Sequence, residues 1–244
     1  MKKMIGLTSA MLFSLPVFAQ SISGTVITLA GNAEIKADND QAVVTFFIEE
    51  QDKDKAVAAS RVNQKMKAGT ELIKKEDPQA ELHTRGYYSY PIYNDATKTV
   101  AGQAPKQQLV GWRTGQYLEV KTQNLKQLPS TAAAAQSILA LNGVNFGLSD
   151  ATIAKLESER IAAGYKDFSQ KLTMITHTMG KNPEDVVIES LDFDNAGSNM
   201  RPMAMAAEPM MLRSARAAGP VDAPSFEPGY TSLSIHITGK LKLK

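Results

Sequence analysis

The chain has 244 residues, with 27 lysines and arginines against 25 aspartates and glutamates, and it has no cysteine. The nearly balanced charge argues against a nucleic-acid-binding protein, and the lack of cysteine excludes disulfides, thiol chemistry and cysteine-ligated zinc. The length is enough for one large domain or two small ones with a hydrophobic core.

The first nineteen residues have the pattern of a secretory signal peptide. Lys2 and Lys3 precede a short apolar run that Pro16 ends, and Ala19 places a small side chain at the cleavage position. The run is shorter than a membrane-spanning helix requires. We therefore expect a Sec-type signal that is cleaved after Ala19, export to the periplasm, and a folded domain at residues 20–244. Because the leader carries two lysines, that domain has 25 basic and 25 acidic residues.

Two strands and a helix are predicted at the start of the folded domain. Residues 27–37 and 41–50 have strand composition and flank a turn-rich tetrad at 37–40. A helix is predicted from Asp52 to Asp77, because apolar residues recur there at helical spacing. Its apolar stripe consists of Ala58, Val62, Met66, Gly69 and Ile73.

A long hairpin rich in aromatic residues is predicted next, with strands at 82–93 and 108–121 and a polar loop at 94–107. Simple alternation divides the first strand into two faces. One face would carry Leu82, Thr84, Gly86, Tyr88, Tyr90 and Ile92, and the other His83, Arg85, Tyr87 and Tyr93. The aromatic residues of the hairpin are Tyr87, Tyr88, Tyr90, Tyr93, Trp112 and Tyr117. We interpret them as strand and subunit-contact residues, with a stacking platform for a sugar or base as the alternative.

The second half of the chain predicts two helices and three strands. In chain order they are a helix at 124–141, a strand at 144–148, a helix from Ser149 or Asp150 to Met179, a strand at 185–193 and a terminal strand from Thr231. The stripe predicted for the long helix is Ile153, Leu156, Gly164, Phe168, Leu172, Ile175 and Met179. Residues 194–228 lose all periodicity and predict a mobile loop rich in Met, Ala and Pro. The terminal strand alternates apolar and polar residues, which is typical of a half-buried strand.

The order of the predicted elements indicates an α+β fold. From the second strand to the fifth it is β-α-β-β-α-β, the order of a ferredoxin-like layer. The first strand, the long helix and the last two strands must extend that sheet or build a second layer. We expect an antiparallel or mixed sheet.

No constellation of catalytic residues is evident. His83, His177 and His236 lack metal-site spacing, and no serine lies in a GxSxG elbow. Gly111 and Gly115 lie inside a strand, so they predict a bulge or a close contact rather than a phosphate-binding loop. We therefore predict no catalytic, cofactor-binding or metal-binding residue, and a hydrolase with a dispersed triad is the weaker hypothesis.

A cluster of methionines offers one alternative chemistry. Its members are Met200, Met203, Met205, Met210 and Met211. Thioethers are soft ligands that suit Cu(I), and methionine is oxidised reversibly. A Cu(I)-binding or oxidant-scavenging loop is thus one hypothesis, and the favoured one is a low-complexity loop without a site.

Several short motifs follow one another along the folded domain. They are Thr84, Tyr90-Pro91-Ile92-Tyr93, Gly111-Trp112-Arg113, Val120, Asn124-Leu125, Asn142-Gly143-Val144, Phe146-Gly147-Leu148-Ser149 and Pro228-Gly229. In this order the chain resembles the SIMPL-domain family, a bacterial domain of unknown function, and its periplasmic members of the oxidative stress defence type. It departs from the usual family pattern at Trp112, where tyrosine is common, and at Asn142-Gly143-Val144, where Gly-Ala-Asn is common.

The resemblance implies a soluble periplasmic α+β protein, with ring-like or channel-like assemblies among relatives. The family supplies no agreed catalytic residues, so none is carried over. The resulting hypothesis is a non-enzymatic homo-oligomer that is associated with defence against oxidative stress. Self-association is the expected partnership, and neither a membrane span nor a nucleic-acid partner is expected.

Overall fold

The computed structural model describes residues 24–94, 107–194, 201–203 and 221–244. These residues form the predicted α+β fold, and its strands make two antiparallel sheets. The strands are β1 (Val26–Asp38), β2 (Gln41–Asp52), β3 (Glu81–Tyr93), β4 (Leu109–Thr122), β5 (Ala140–Gly147), β6 (Val186–Asp194), β7 (Arg201–Met203) and β8 (Tyr230–Leu243). The helices are α1 (Lys55–Glu76), α2 (Leu128–Ala135) and α3 (Asp150–Thr178), and a short 3₁₀ helix spans Pro183–Asp185.

The first sheet has the strand order β3-β4-β2-β5. Strand β4 lies between β2 and β3, and β2 lies between β4 and β5, so each strand–helix–strand unit is split by a strand of the other. This confirms the predicted ferredoxin-like layer and the predicted β3–β4 hairpin. Helix α1 packs on β2 and β4 and contacts α2. We call the side covered by α1 the helix face of this sheet and the opposite side its outer face.

Helix α1 buries the apolar stripe that its sequence predicts. All five stripe residues are buried against the helix face. The helix begins later than predicted, because β2 continues to Asp52 as the ladder partner of Trp112. Asp54 then caps the helix by accepting a hydrogen bond from the Ala56 amide at 2.7 Å.

The predicted helix at 124–141 is wrong in its length. Pro129 stands in the first turn of α2, which ends at Ala135, and a hydrogen-bonded turn follows with Leu139 buried at 2% exposure. Residues 140–147 form β5 instead and pair with β2 from Phe47 to Gln41. The strand is therefore longer than the predicted 144–148, because the ladder with β2 outweighs the weak helical preference of these residues.

The second sheet has the order β1-β8-β6, with β7 also paired to β8, and α3 packs on β1 and β8. The prediction left open whether the remaining elements extend the first sheet or build a second layer, and they build a second layer. Phe168 of α3 is fully buried against strands β1 and β8. Met179 was predicted to be buried but is 45% exposed, whereas Arg160, which the stripe omitted, is buried. Arg160 donates to the Ser234 carbonyl at 2.6 Å and pairs with Glu157, which satisfies its charge.

The two layers are connected at the turn between β1 and β2. The backbone amide of Asn39 donates to the Gly229 carbonyl at 3.0 Å. The Asp40 carboxylate accepts hydrogen bonds from the Ser149 amide and hydroxyl and from the Thr152 hydroxyl, at 2.6, 2.7 and 2.6 Å. Since Ser149 is the N-cap of α3, this carboxylate fixes the start of the second layer's helix to the start of β2 in the first layer.

The predicted loop at 194–228 is described only in part. Within it, Arg201–Met203 pairs with β8 as strand β7, so the prediction of a loop throughout is wrong at these positions. Residues 221–229 have neither helix nor strand. In the part of the chain that the structure describes, every helix is too short or too polar to cross a bilayer.

Candidate functional site: a tyrosine cluster on the outer sheet face

A β-bulge at Gly86 sets the direction of the side chains on β3. Arg85 pairs with Tyr117, but Tyr88 pairs with Gly115, so β3 has one residue more than β4 in this interval. Gly86 has a φ of +64°, in the left-handed region that glycine adopts at little cost. Such a bulge reverses the alternation of side chains beyond it.

The bulge corrects the predicted faces of β3. Before it, Leu82 packs against the core of the helix face. Beyond it, Tyr88 and Tyr90 lie on the outer face instead of sharing the face of Leu82, so simple alternation gave the wrong assignment. Ser89 takes the helix-face position, where the Thr114 hydroxyl donates to it at 3.0 Å.

Four aromatic rings meet on the outer face. The Tyr88 ring stacks on Tyr90 with centroids 5.8 Å apart, and it lies 6.3 Å from the Tyr117 ring. The Phe47 ring of β2 lies 6.0 Å from Tyr117. We call Tyr88, Tyr90 and Tyr117 the tyrosine cluster. Three strands contribute to this surface, which is why its residues are far apart in the sequence.

A polar network joins the cluster to a charge pair. The Tyr88 hydroxyl donates to Glu49 Oε2 at 2.8 Å, and Arg113 Nε lies 3.4 Å from Glu49 Oε1. Arg113 also donates long hydrogen bonds, both of 3.5 Å, to the Tyr90 hydroxyl and to Gln51 Oε1. One carboxylate therefore accepts from a phenol through one oxygen and faces a guanidinium with the other.

The network changes the acid–base properties of its members. Desolvation by burial, followed by the hydrogen bond to Glu49 and the charge of that carboxylate, raises the pKa of Tyr88 far above its usual range. The hydrogen bond to Tyr90 and the charge of Glu49 raise the pKa of Arg113. Tyr88 is therefore a neutral phenol, and Arg113 a cation, throughout the physiological range.

Gly115 makes room for the Tyr88 ring. A Cβ atom at Gly115 would lie 2.3 Å from the Tyr88 hydroxyl oxygen and 2.4 Å from its Cζ, so any other residue would displace the phenol. A Cβ atom at Gly111 would lie 2.9 Å from the Asp52 carbonyl oxygen. The prediction that these glycines permit close contacts is confirmed.

The remaining aromatic residues of the hairpin lie outside the cluster. Trp112 holds the Lys55 ammonium 5.0 Å from its ring centroid. Tyr87 and Tyr93 are 50% and 51% exposed. The structure therefore brings together three of the six aromatic residues that the sequence singled out.

The other residues considered from sequence do not assemble into a site. His83, His177 and His236 lie on β3, α3 and β8, and His236 Nδ1 is 2.6 Å from Asn32 Oδ1. Among the described residues, no group of three His, Asp or Glu side chains is arranged to hold a metal ion. Of the methionine cluster only Met203 lies in a described segment, as backbone of β7; Met200, Met205, Met210 and Met211 lie outside the described residues.

A protein-family model matches the sequence of this chain over most of its length. The family model of SIMPL, described as a protein of unknown function (DUF541), matches residues 27–241. The chain belongs to the SIMPL family. The match begins in β1 and ends in β8, so both layers and the tyrosine cluster are part of the SIMPL domain. A comparison with curated proteins gave no match.

Sequence reasoning missed Glu49 and Arg113 of the SIMPL domain as partners of the tyrosines. Glu49 is on another strand, and only the register between β2 and β4 brings it opposite Gly115. One signal was present, since a glycine inside a strand pattern indicates a bulge, as Gly86 proves to do. Chemically, the arrangement presents stacked rings, a neutral phenol hydrogen-bonded to a base, and a fixed cation.

Glu49→Gln is expected to lower the pKa of Tyr88, because it removes the negative charge beside the phenol and leaves the burial of the ring. The measurement is an NMR titration of the tyrosine Cζ resonances at alkaline pH, compared with Glu119→Gln as a control. Glu119 lies on the same sheet but pairs with Arg85. An unchanged Tyr88 pKa in Glu49→Gln would contradict the role assigned to this carboxylate.

Proposed function

We propose that this SIMPL protein is exported to the periplasm and acts there, without catalysis, as a homo-oligomer in defence against oxidative stress. The pattern of residues 1–19 supports export. The resemblance to periplasmic proteins of the oxidative stress defence type supports the role. Support for self-association comes from one feature of the hairpin.

The end of the β3–β4 hairpin that lies nearest its loop carries exposed apolar side chains. Tyr93 pairs with Leu109, Val110 follows, and the three are 51%, 52% and 43% exposed. Because β2 ends at Asp52, opposite Trp112, this end of the hairpin extends past the last β2 pair. Clustered apolar side chains at such a position are typical of contacts between subunits. We call Tyr93, Leu109 and Val110 the hairpin end, and it carries the proposal of self-association.

The test is the mass in solution of residues 20–244, measured by sedimentation at micromolar concentration. We expect the wild-type protein to be oligomeric and the double variant Leu109→Lys with Val110→Lys to be monomeric, because burying two unpaired charges in an interface is costly. Met174→Lys is the matched control, since Met174 is a 60% exposed apolar residue on α3. A monomeric wild-type protein, or a double variant of unchanged mass, would contradict the proposal.

The biological role needs a separate measurement. Cells that lack the protein are expected to survive hydrogen peroxide less well, and the wild-type and Met174→Lys proteins should restore survival while the double variant should not. Equal rescue by all three would disconnect the protection from self-association. Consumption of peroxide with turnover by the purified protein would contradict the absence of catalysis.

A further inference from the structure

Tyr88 has a proton acceptor in hydrogen-bonding position. Its hydroxyl donates to Glu49 Oε2 at 2.8 Å, within the range in which a base takes a proton without rearrangement. A phenol that loses an electron becomes a strong acid, so its oxidation is easier where a carboxylate receives the proton in the same step. Arg113 faces the other oxygen of Glu49 and holds this carboxylate in place.

The tyrosine cluster also connects Tyr88 to the surface. Tyr90, whose ring stacks on Tyr88 at 5.8 Å, is 43% exposed, and the Tyr117 ring lies 6.3 Å from Tyr88. Ring separations of this size permit an electron to move between tyrosines. An oxidising equivalent that arrives at Tyr90 therefore has a short route to the tyrosine that has the base.

We propose that Tyr88 is a redox-active tyrosine, which gives one electron to a one-electron oxidant while its phenolic proton passes to Glu49. The O–H bond of Tyr88 breaks, the oxidant is reduced by one electron, and the products are a neutral tyrosyl radical and a neutral Glu49 carboxylic acid. The oxidants concerned are oxygen-centred radicals and oxidised metal complexes. Two such radicals, made by two oxidation events, join through a bond between ring carbons. The hydrogen at each joined carbon then moves as a proton to a phenolic oxygen, which gives dityrosine.

This inference goes beyond the proposed function and does not depend on it. The hairpin end, on which self-association rests, is a different set of residues from the tyrosine cluster. A monomeric protein with a selectively oxidised Tyr88 would overturn only the proposal of self-association, and an oligomer without such selectivity would overturn only the present one.

Two tyrosines of the same hairpin serve as internal controls. Tyr87 and Tyr93 are 50% and 51% exposed, more than the half-buried Tyr88. Among the described residues, neither donates a hydrogen bond to a carboxylate. If accessibility alone decided oxidation, Tyr87 and Tyr93 would react before Tyr88.

The experiment oxidises residues 20–244 with photoexcited tris(bipyridine)ruthenium and persulfate, in the presence of a nitroso spin trap that captures tyrosyl radicals. Fragment mass spectrometry then assigns the trapped tyrosines. We expect Tyr88 and its neighbour Tyr90 to carry the adduct before Tyr87 and Tyr93. Labelling in the order of exposure, with Tyr87 and Tyr93 first, would overturn the proposal.

Glu49→Gln tests the proton acceptor itself. It keeps an oxygen that can accept from Tyr88 but removes the base, and we expect the rate of Tyr88 labelling to fall about tenfold or more. The matched control is Glu50→Gln, because Glu50 is the adjacent carboxylate and pairs with Lys65 of α1 instead. Equal rates in the wild-type protein and Glu49→Gln would overturn the proposal.

Gly115→Ala provides a second, independent variant. It keeps Glu49 but displaces the Tyr88 phenol, which a Cβ atom at Gly115 would approach to 2.3 Å. We expect it to lower Tyr88 labelling as Glu49→Gln does, with the far-ultraviolet circular dichroism of the native fold retained. Undiminished Tyr88 labelling in a folded Gly115→Ala protein would contradict the requirement for this hydrogen bond.

Discussion

Phe168→Ala is expected to lower the free energy of unfolding by about 3–5 kcal/mol, the usual cost of removing a large, fully buried aromatic ring. Phe168 is 0% exposed and belongs to the core of the second layer with Leu29, Ile235 and Ile237. The cavity cannot easily close, because strands β1 and β8, on which the ring packs, are held in register by their ladder. Chemical denaturation followed by circular dichroism measures the change.

Glycines on both strands show how closely the ring is enclosed. A Cβ atom at Gly31 would lie 2.6 Å from Phe168 Cβ, and one at Gly239 would lie 2.6 Å from the ring carbon Cε2. Phe193→Ala is the matched control, since Phe193 is 39% exposed on β6 and its loss should cost about 1 kcal/mol or less. Equal losses in the two variants would contradict the assignment of Phe168 as the centre of this core.

Asp40→Asn is expected to cost about 1–3 kcal/mol at neutral pH, because an amide nitrogen replaces one of the two oxygens that accept three hydrogen bonds. The donors are the amide and hydroxyl of Ser149 and the hydroxyl of Thr152. The substitution weakens the N-cap of α3 and the contact between the layers together. Asp38→Asn, at an exposed position two residues away, is the control and should be nearly neutral.

The effect of Asp40 should depend on pH in a defined direction. Desolvation raises the pKa of Asp40, but the hydrogen bonds from Thr152 and Ser149 outweigh it and leave the pKa below the ordinary value of 3.8. The contribution is therefore fully present above the pKa of the unfolded chain and is lost as the pH falls through the lower folded value. The stability difference between the wild-type protein and Asp40→Asn should shrink below about pH 4. A difference that grows on acidification would contradict this assignment.

The fold could be predicted where the residue pattern of a single helix or strand determines which of its side chains are buried. The five stripe residues of α1 are buried as expected, and the alternation of β8 places Leu233, Ile235 and Ile237 in the core. The helix predicted over 124–141 failed, because residues 140–147 have a partner strand that local propensity does not reveal. The predicted burial of Met179 was wrong, and the burial of Arg160 was not predicted, for a similar reason. Burial at the ends and edges of α3 depends on how much of the helix the sheet covers.

Of the candidate site, the sequence predicts which residue types are present but not how they are arranged. The crowding of tyrosines on one hairpin was evident, but their grouping was not, because one extra residue at Gly86 reverses the face of everything beyond it. The partner carboxylate comes from β2, nearly forty residues before Tyr88, and meets it only through the register with β4.

The sequence by itself determined the α+β class, the ferredoxin-like order of the first layer, the amphipathic helix α1 and membership of the SIMPL family. These follow from local periodicity and from motifs in order, which need no knowledge of the partner strand. Only the tertiary structure decided the length of α2, the second sheet and the Tyr88–Glu49 pair. Strand pairing and register join residues that are distant in the chain, and no local pattern specifies which residues will face each other across a sheet.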